Sequence, residues 1–314
     1  MAPRCCCSIS PERRVPVDRR GTLLLLIAGA VALPAAAGSV HQSPNRFARG
    51  LLWRVARPGV APSYVFGTIH LADPRVLDIP EPVRRALSRS RSYFLETHHA
   101  APERSRFLEA AQFEDGRRLE PLIGAEAFAK LAAHLRERRV PEPVIVRIKP
   151  WAALANLTVT PEDYTGETLD QKLLALARSF KLRIDALEGI EEQISVFEGI
   201  PMETQVALLK HALEHRDDLV GLIEPTIQAW LRRDLAALDA VNERIGARYP
   251  DVADHYRVLF RRVVRNRSIV MAHRLFMPLR EGRAFIAIGT NHLYGEEGVL
   301  RLIEKQGYRV QRAY

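Results

Sequence analysis

One pentapeptide pattern occurs twice, near opposite ends of the chain: Gly67-Thr68-Ile69-His70-Leu71 and Gly289-Thr290-Asn291-His292-Leu293. Each copy follows a short apolar run, Tyr64-Val65-Phe66 in one case and Phe285-Ile286-Ala287-Ile288 in the other. After the first copy, Pro80-Glu81-Pro82 opens a helix that buries Val83, Ala86 and Leu87, and Ser92 to Leu95 then forms a strand ending in Glu96. After the second, Glu297 to Gln306 reads as a helix stopped by Gly307, and Tyr308-Arg309-Val310 opens a last strand. Two strand–turn–helix–strand units predict parallel strands joined by helical crossovers.

A third unit lies between them. Thr168 to Phe180 has apolar residues at helical spacing, and Leu182 to Leu187 is a short strand closed by Glu188. Leu51 to Arg57 pairs with the Ser63–Phe66 strand through the Pro58-Gly59 turn. Most of the rest is helical, with single helices expected over Val206–His215, Leu219–Leu231 and Asp254–Leu275. The fold class is therefore α/β: a modest, mostly parallel central sheet with a mixed edge, carrying large helical insertions and covers. The insertion spans about residues 101–280 of one domain over 48–314, preceded by a short linker over 38–47.

Residues 1–37 read as a secretory signal peptide. Arg19-Arg20 flank an apolar core from Leu23 to Leu33, and Ala35-Ala36-Ala37 supplies the small residues of a cleavage site. The core is shorter than the roughly 20 residues of a membrane span. Export to the periplasm or the extracellular space is the expectation, with an uncleaved anchor as its alternative. All three cysteines, Cys5, Cys6 and Cys7, precede that core, so the exported part has neither disulfides nor a thiol nucleophile. An apolar fraction of 47% suits a packed core. The net charge of +9 comes from scattered arginines without interleaved aromatic residues, which argues against nucleic acid as a partner and leaves envelope association open.

His70, Glu96, Glu188 and His292 each fall at or just beyond the C-terminal end of an expected strand. Ligands of open α/β sheets bind beyond the carboxyl ends of strands. Two imidazoles with one or two carboxylates make a donor set for a divalent transition metal such as zinc, manganese, iron or cobalt. Gly67 and Gly289 permit a sharp exit and close approach, and the hydroxyls of Thr68 and Thr290 are placed to bond loop backbone. Glu188 also begins the acidic cluster with Glu191 and Glu192, which suits a helix N-terminus. His98 and His99 read as loop residues. His211 and His215 are spaced i, i+4 but lack the glutamate of H-E-x-x-H, so they read as a helix face.

These motifs resemble the TraB/GumN family, which includes the TIKI metalloproteases. The family shares two GxxH motifs with acidic residues between them. Here they are Gly67–His70 and Gly289–His292, the latter continuing as Leu293-Tyr294-Gly295-Glu296-Glu297-Gly298. Leu187-Glu188-Gly189-Ile190-Glu191-Glu192-Gln193, Leu169-Asp170, the Arg265-Asn266 pair and the ending Gly307-Tyr308-Arg309-Val310 are similar too, so the resemblance runs from about Leu51 to Val310. Thr97-His98, Gly189 and Asn291 depart from the residues frequent in relatives.

The resemblance implies an erythromycin-esterase/TIKI-like fold and a metal-dependent hydrolase, in particular a peptidase, acting on a peptide or small molecule. The metal would be held by His70, His292 and at least one of Glu96 and Glu188. The carboxylate left over acts as general base, and Arg265 stabilises charge on a polarised carbonyl. Two alternatives belong to other classes: a non-catalytic haem- or metal-binding envelope protein, and a scaffold linked to polysaccharide export. The oligomeric state is open.

Overall fold

In a computed structural model, which describes residues 46–98, 101–158 and 167–314, six strands form one sheet. They are β1 (Leu52–Arg57), β2 (Val60–Thr68), β3 (Ser92–Thr97), β4 (Arg183–Glu188), β5 (Ala284–Gly289) and β6 (Arg309–Arg312), in the order β4-β3-β5-β2-β1-β6. β4, β3, β5 and β2 are mutually parallel, whereas β1 is antiparallel to both β2 and β6. β6 therefore runs in the same direction as β5, and both duplicated units cross over to a parallel, non-adjacent strand. The mostly parallel sheet with a mixed edge is as the sequence implied. The expected leader, most of the linker and His99 lie outside the described residues.

β5 is buried at all six positions, which explains its unbroken apolar run: a central parallel strand is covered on both faces. The Glu81–Ser88 and Val299–Lys305 helices deliver Val83, Leu87, Val299, Leu300 and Ile303 to the core around this sheet. The helices between β3 and β4, with those after β4, bury a second apolar cluster that includes Leu131, Leu135, Trp151, Leu208 and Leu209.

Two long helices expected from periodicity are broken. The first becomes Arg216–Val220 and Ile223–Leu231, interrupted at Gly221. The second becomes Ala253–Phe260, a π-helical turn over Arg261–Asn266 and a helix over Arg267–Arg274. A π turn adds a residue to the helical path and rotates the next helical segment about its axis.

Candidate functional site

The parallel strands β4, β3, β5 and β2 end side by side, and the cluster forms at those ends. His70 follows β2 by two residues, Glu96 is the penultimate residue of β3, Glu188 ends β4, and His292 ends a 3-10 turn over Thr290–His292 after β5. The two copies of the pentapeptide adopt different turns. Thr68, not Gly67, pairs with Gly289, so the copies are offset by one residue. Thr290 donates its hydroxyl to the Thr68 carbonyl, but the Thr68 hydroxyl is buried without a partner, contrary to the expected second turn bond.

The imidazoles nonetheless converge. Glu96 Oε1 lies 3.8 Å from His70 Nε2 and 3.9 Å from His292 Nε2. The Gly289 amide donates to the same oxygen at 2.6 Å. A Cβ on Gly289 would stand 3.0 Å from Glu96 Oε1, 3.3 Å from His70 Nε2 and 3.6 Å from His292 Cδ2. Its missing side chain keeps open the space that these groups face. Neither motif glycine has a positive φ, so close approach is the requirement at Gly289.

Each histidine is held through its other nitrogen. His70 Nδ1 donates to Asp170 Oδ2 at 2.7 Å. Asp170 sits in the first turn of the Leu169–Ser179 helix, whose start is fixed by a capping box between Thr168 and Gln171. His292 Nδ1 lies 3.2 Å from the Val264 carbonyl and 3.0 Å from Ser268 Oγ, and that hydroxyl also donates to Val264 at 2.8 Å. Since a carbonyl and a carboxylate only accept, both rings carry a proton on Nδ1, so that in its neutral form each ring turns an Nε2 lone pair toward Glu96.

Arg267 closes the cluster from behind. Its Nη2 donates to Glu96 Oε2 at 2.6 Å and its Nε to Glu188 Oε2 at 2.9 Å, while Nη1 reaches the Val263 carbonyl at 3.2 Å. The side chains of Arg267, Glu96 and Glu188 are only 7%, 11% and 4% exposed. Burial alone would push the Glu96 carboxyl up, but the two imidazoles and Arg267 hold it well below the usual carboxylate range. Burial pushes Glu188 up against the opposing pull of Arg267. The histidines diverge: Asp170 holds His70 well above the ordinary imidazole value, whereas burial pushes His292 down to about 4. The consequences differ: His70 favours a second proton, on Nε2, which a metal would displace, whereas His292 stays neutral with its Nε2 lone pair 3.4 Å from Arg267 Nη1.

The structure thus gathers His70, His292, Glu96 and Glu188, and it does not bring Arg265 to them. Arg265 turns to the Tyr294 carbonyl at 3.2 Å and Asp239 at 3.4 Å, and stacks on Phe260. The arginine of the cluster is Arg267, the first residue after the π turn. Asp170, Arg267 and Ser268 are the residues that sequence reasoning missed. Leu169-Asp170 stood out only as a matching segment, and Ser268 gave no signal. His98 makes none of these contacts. His211 shares a hydrogen bond with Tyr256 at 3.0 Å and packs on His215 and Tyr249 in the helical layer.

Among the described residues, no three His, Cys, Asp or Glu side chains form a ready-made metal cage. The donor chemistry nevertheless fits one at three atoms: the two Nε2 lone pairs and Glu96 Oε1 around the gap left by Gly289. Their 3.8 and 3.9 Å separations compare with about 3.3 Å between neighbouring donors of a tetrahedral zinc site. Glu188 is tied to Arg267 and reaches the gap only through it.

Among known proteins, Metalloprotease TIKI2 of Danio rerio is 25% identical over 83% of this chain and 60% of its own length. Metalloprotease TIKI1 of Homo sapiens is 24% identical over 93% of this chain and 68% of its own. The chain therefore spans between three fifths and about two thirds of these relatives. Uncharacterized protein YbaP of Shigella flexneri is 22% identical over 79% of this chain and 90% of its own length. No solved structure gives a significant match. The model of the TraB/PrgY/gumN family matches residues 51–312, and with both histidine motifs at one sheet edge the chain belongs to that family.

Proposed function

We propose that this protein is a metal-dependent hydrolase of peptide bonds whose metal is held by His70, His292 and Glu96. The observation that carries the reading is the convergence of both Nε2 atoms on Glu96 Oε1, around the space left by Gly289. The metalloprotease names of the relatives support the reaction class. A divalent cation there supplies Lewis acidity, which acidifies water and polarises a carbonyl.

The chain's own residues do the rest. Asp170 and the Val264 carbonyl fix the tautomers, as outer-shell acceptors do for metal-ligating histidines. Arg267 keeps Glu96 ionised and pins its second oxygen, leaving the first for the gap. Glu188 orients Arg267 and is the nearby carboxylate for a proton released by water. The set is anionic overall when His292 is neutral, which favours a divalent cation.

The test is metal analysis and peptidase assay of protein reconstituted with zinc, manganese, cobalt or iron(II), beside the double variant His70→Ala/His292→Ala. The parent should bind one equivalent and cleave peptides, and the variant should do neither. Unchanged metal stoichiometry in the variant would sink the assignment. Export is part of the same proposal: the apolar Leu23–Leu33 segment directs it, and processing occurs after Ala37. Among the described residues no helix is long and apolar enough to cross a membrane. N-terminal sequencing of protein recovered outside the cytoplasm checks this, with Gly38 as the expected first residue.

A further inference from the structure

Among the described residues, β4 is the end strand of the sheet, paired with β3 on one side only. Its outward backbone is not idle. The Ala186 amide turns away from β3 and donates to the neighbouring Asp185 side chain at 2.9 Å. Beside this strand a groove of about 440 Å³ runs between Asp185, Leu187 and Phe94 on the sheet and Arg274, Met277 and Pro278 on the helices. Met277 is 56% exposed, unusual for a large apolar side chain, and Phe276 beside it is 42% exposed. One lining residue precedes the candidate site in the chain. Leu187 lines the groove and Glu188, the next residue, holds Arg267, while Arg274 donates to the Leu187 carbonyl at 2.6 Å.

We infer that an extended peptide substrate adds to the free edge of β4 as a further strand, so that its chain leads toward the Glu96–Arg267–Glu188 cluster. Unpaired strand edges recognise extended backbones through main-chain hydrogen bonds, and pockets beside the edge read alternate side chains. Asp185 is the gate in this arrangement: it occupies the donor that an incoming chain needs, as charged groups on edge strands do. The groove takes an apolar side chain against Met277, Phe94 and Leu187. This inference rests on the peptidase reading for what the bound chain is, but binding is measured without turnover.

The experiment selects peptides from a random phage-displayed library on the full-length His70→Ala/His292→Ala protein, then measures their binding by fluorescence anisotropy. Ala186→Pro removes the outward donor and leaves the pairing with β3 in place, because that amide faces away from β3. It should weaken binding tenfold or more. Asp185→Ala should do the opposite and strengthen binding severalfold, which a merely structural role would not produce. Methylating the peptide nitrogens one at a time should weaken binding at every second position, and hydrogen exchange should slow at Ile184 and Ala186. Failure to select any peptide would overturn the docking surface, as would affinities within twofold across these variants. Asp185→Ala protein that self-associates without binding peptide would show the edge to be guarded against aggregation only. Each of these outcomes leaves the metal reading intact, because that is decided by metal content.

Discussion

Gly289 illustrates the residue scale, where an absent side chain matters as much as a present one. Its φ of −54° suits any amino acid, yet a methyl there enters the space shared by Glu96 and His70. Gly289→Ala should fold with an unchanged circular dichroism spectrum and lose metal, as measured by elemental analysis. Arg267 makes the opposite case. Removing its charge leaves Glu96 and Glu188 buried together without a partner, and breaking a buried ion pair costs about 3–5 kcal/mol. Arg267→Met should lower the urea midpoint accordingly, and Arg267→Lys should not restore it, because a point charge cannot serve both carboxylates as the planar fork does.

Glu192 carries a pH signature away from the site. Arg274 and the Gly189 amide bring its carboxyl down to about 2 from the ordinary 4.5. A group whose pKa is lowered on folding adds stability above its unfolded value and loses it as pH falls through the folded one. Glu192→Gln should therefore be less stable than the parent at neutral pH. The difference should shrink between pH 4.5 and 2 in acid titrations monitored by circular dichroism. Glu192 is half-exposed, so the effect is small.

At the scale of elements, the strands were legible and the helices partly so. β2, β3 and β5 announce themselves by apolar runs leading into glycine or glutamate, as buried parallel strands do, whereas the edge strand β4 alternates polar and apolar residues before Glu188. The capping box at Thr168 and Gln171 also has a local signature, and it now has a functional consequence, since it sets the turn that carries Asp170. Thr168→Ala should cost about 1 kcal/mol by the usual worth of such caps, read as a shift in urea midpoint. It should also weaken metal affinity, because loss of an outer-shell partner costs ten- to a hundredfold. The π turn over Arg261–Asn266 had no such signature. Apolar periodicity continues through it, so the sequence reads as one helix, and Arg265 was singled out only through the resemblance of the Arg265-Asn266 pair. The extra residue is visible only once Val263 and Val264 offer their carbonyls to Arg267 and His292.

The whole molecule joins groups from residue 70 to residue 292 in one place, so the proposed metal site couples binding to folding across the chain. A ligand that binds only the folded state stabilises it by about 2.7 kcal/mol at one hundred times its dissociation constant. Adding the cognate divalent ion should raise the melting temperature, a chelator should reverse the rise, and His292→Ala should show neither effect in calorimetry. Taken alone, the sequence determined the sheet, its parallel sense, the two histidine turns and the two strand-end glutamates, because each is encoded by apolar runs and turn residues within a few positions of one another. Tertiary structure alone decided the rest. Strand order sets β5 between β3 and β2, so that Glu96 and His70 meet across Gly289 beside His292. Helix packing turns Arg267, and not Arg265, to Glu96 and Glu188, and the Leu169–Ser179 helix brings Asp170 behind His70. These are contacts between residues up to 222 positions apart, as between Thr68 and Thr290, and no local pattern of side chains specifies a partner at that distance.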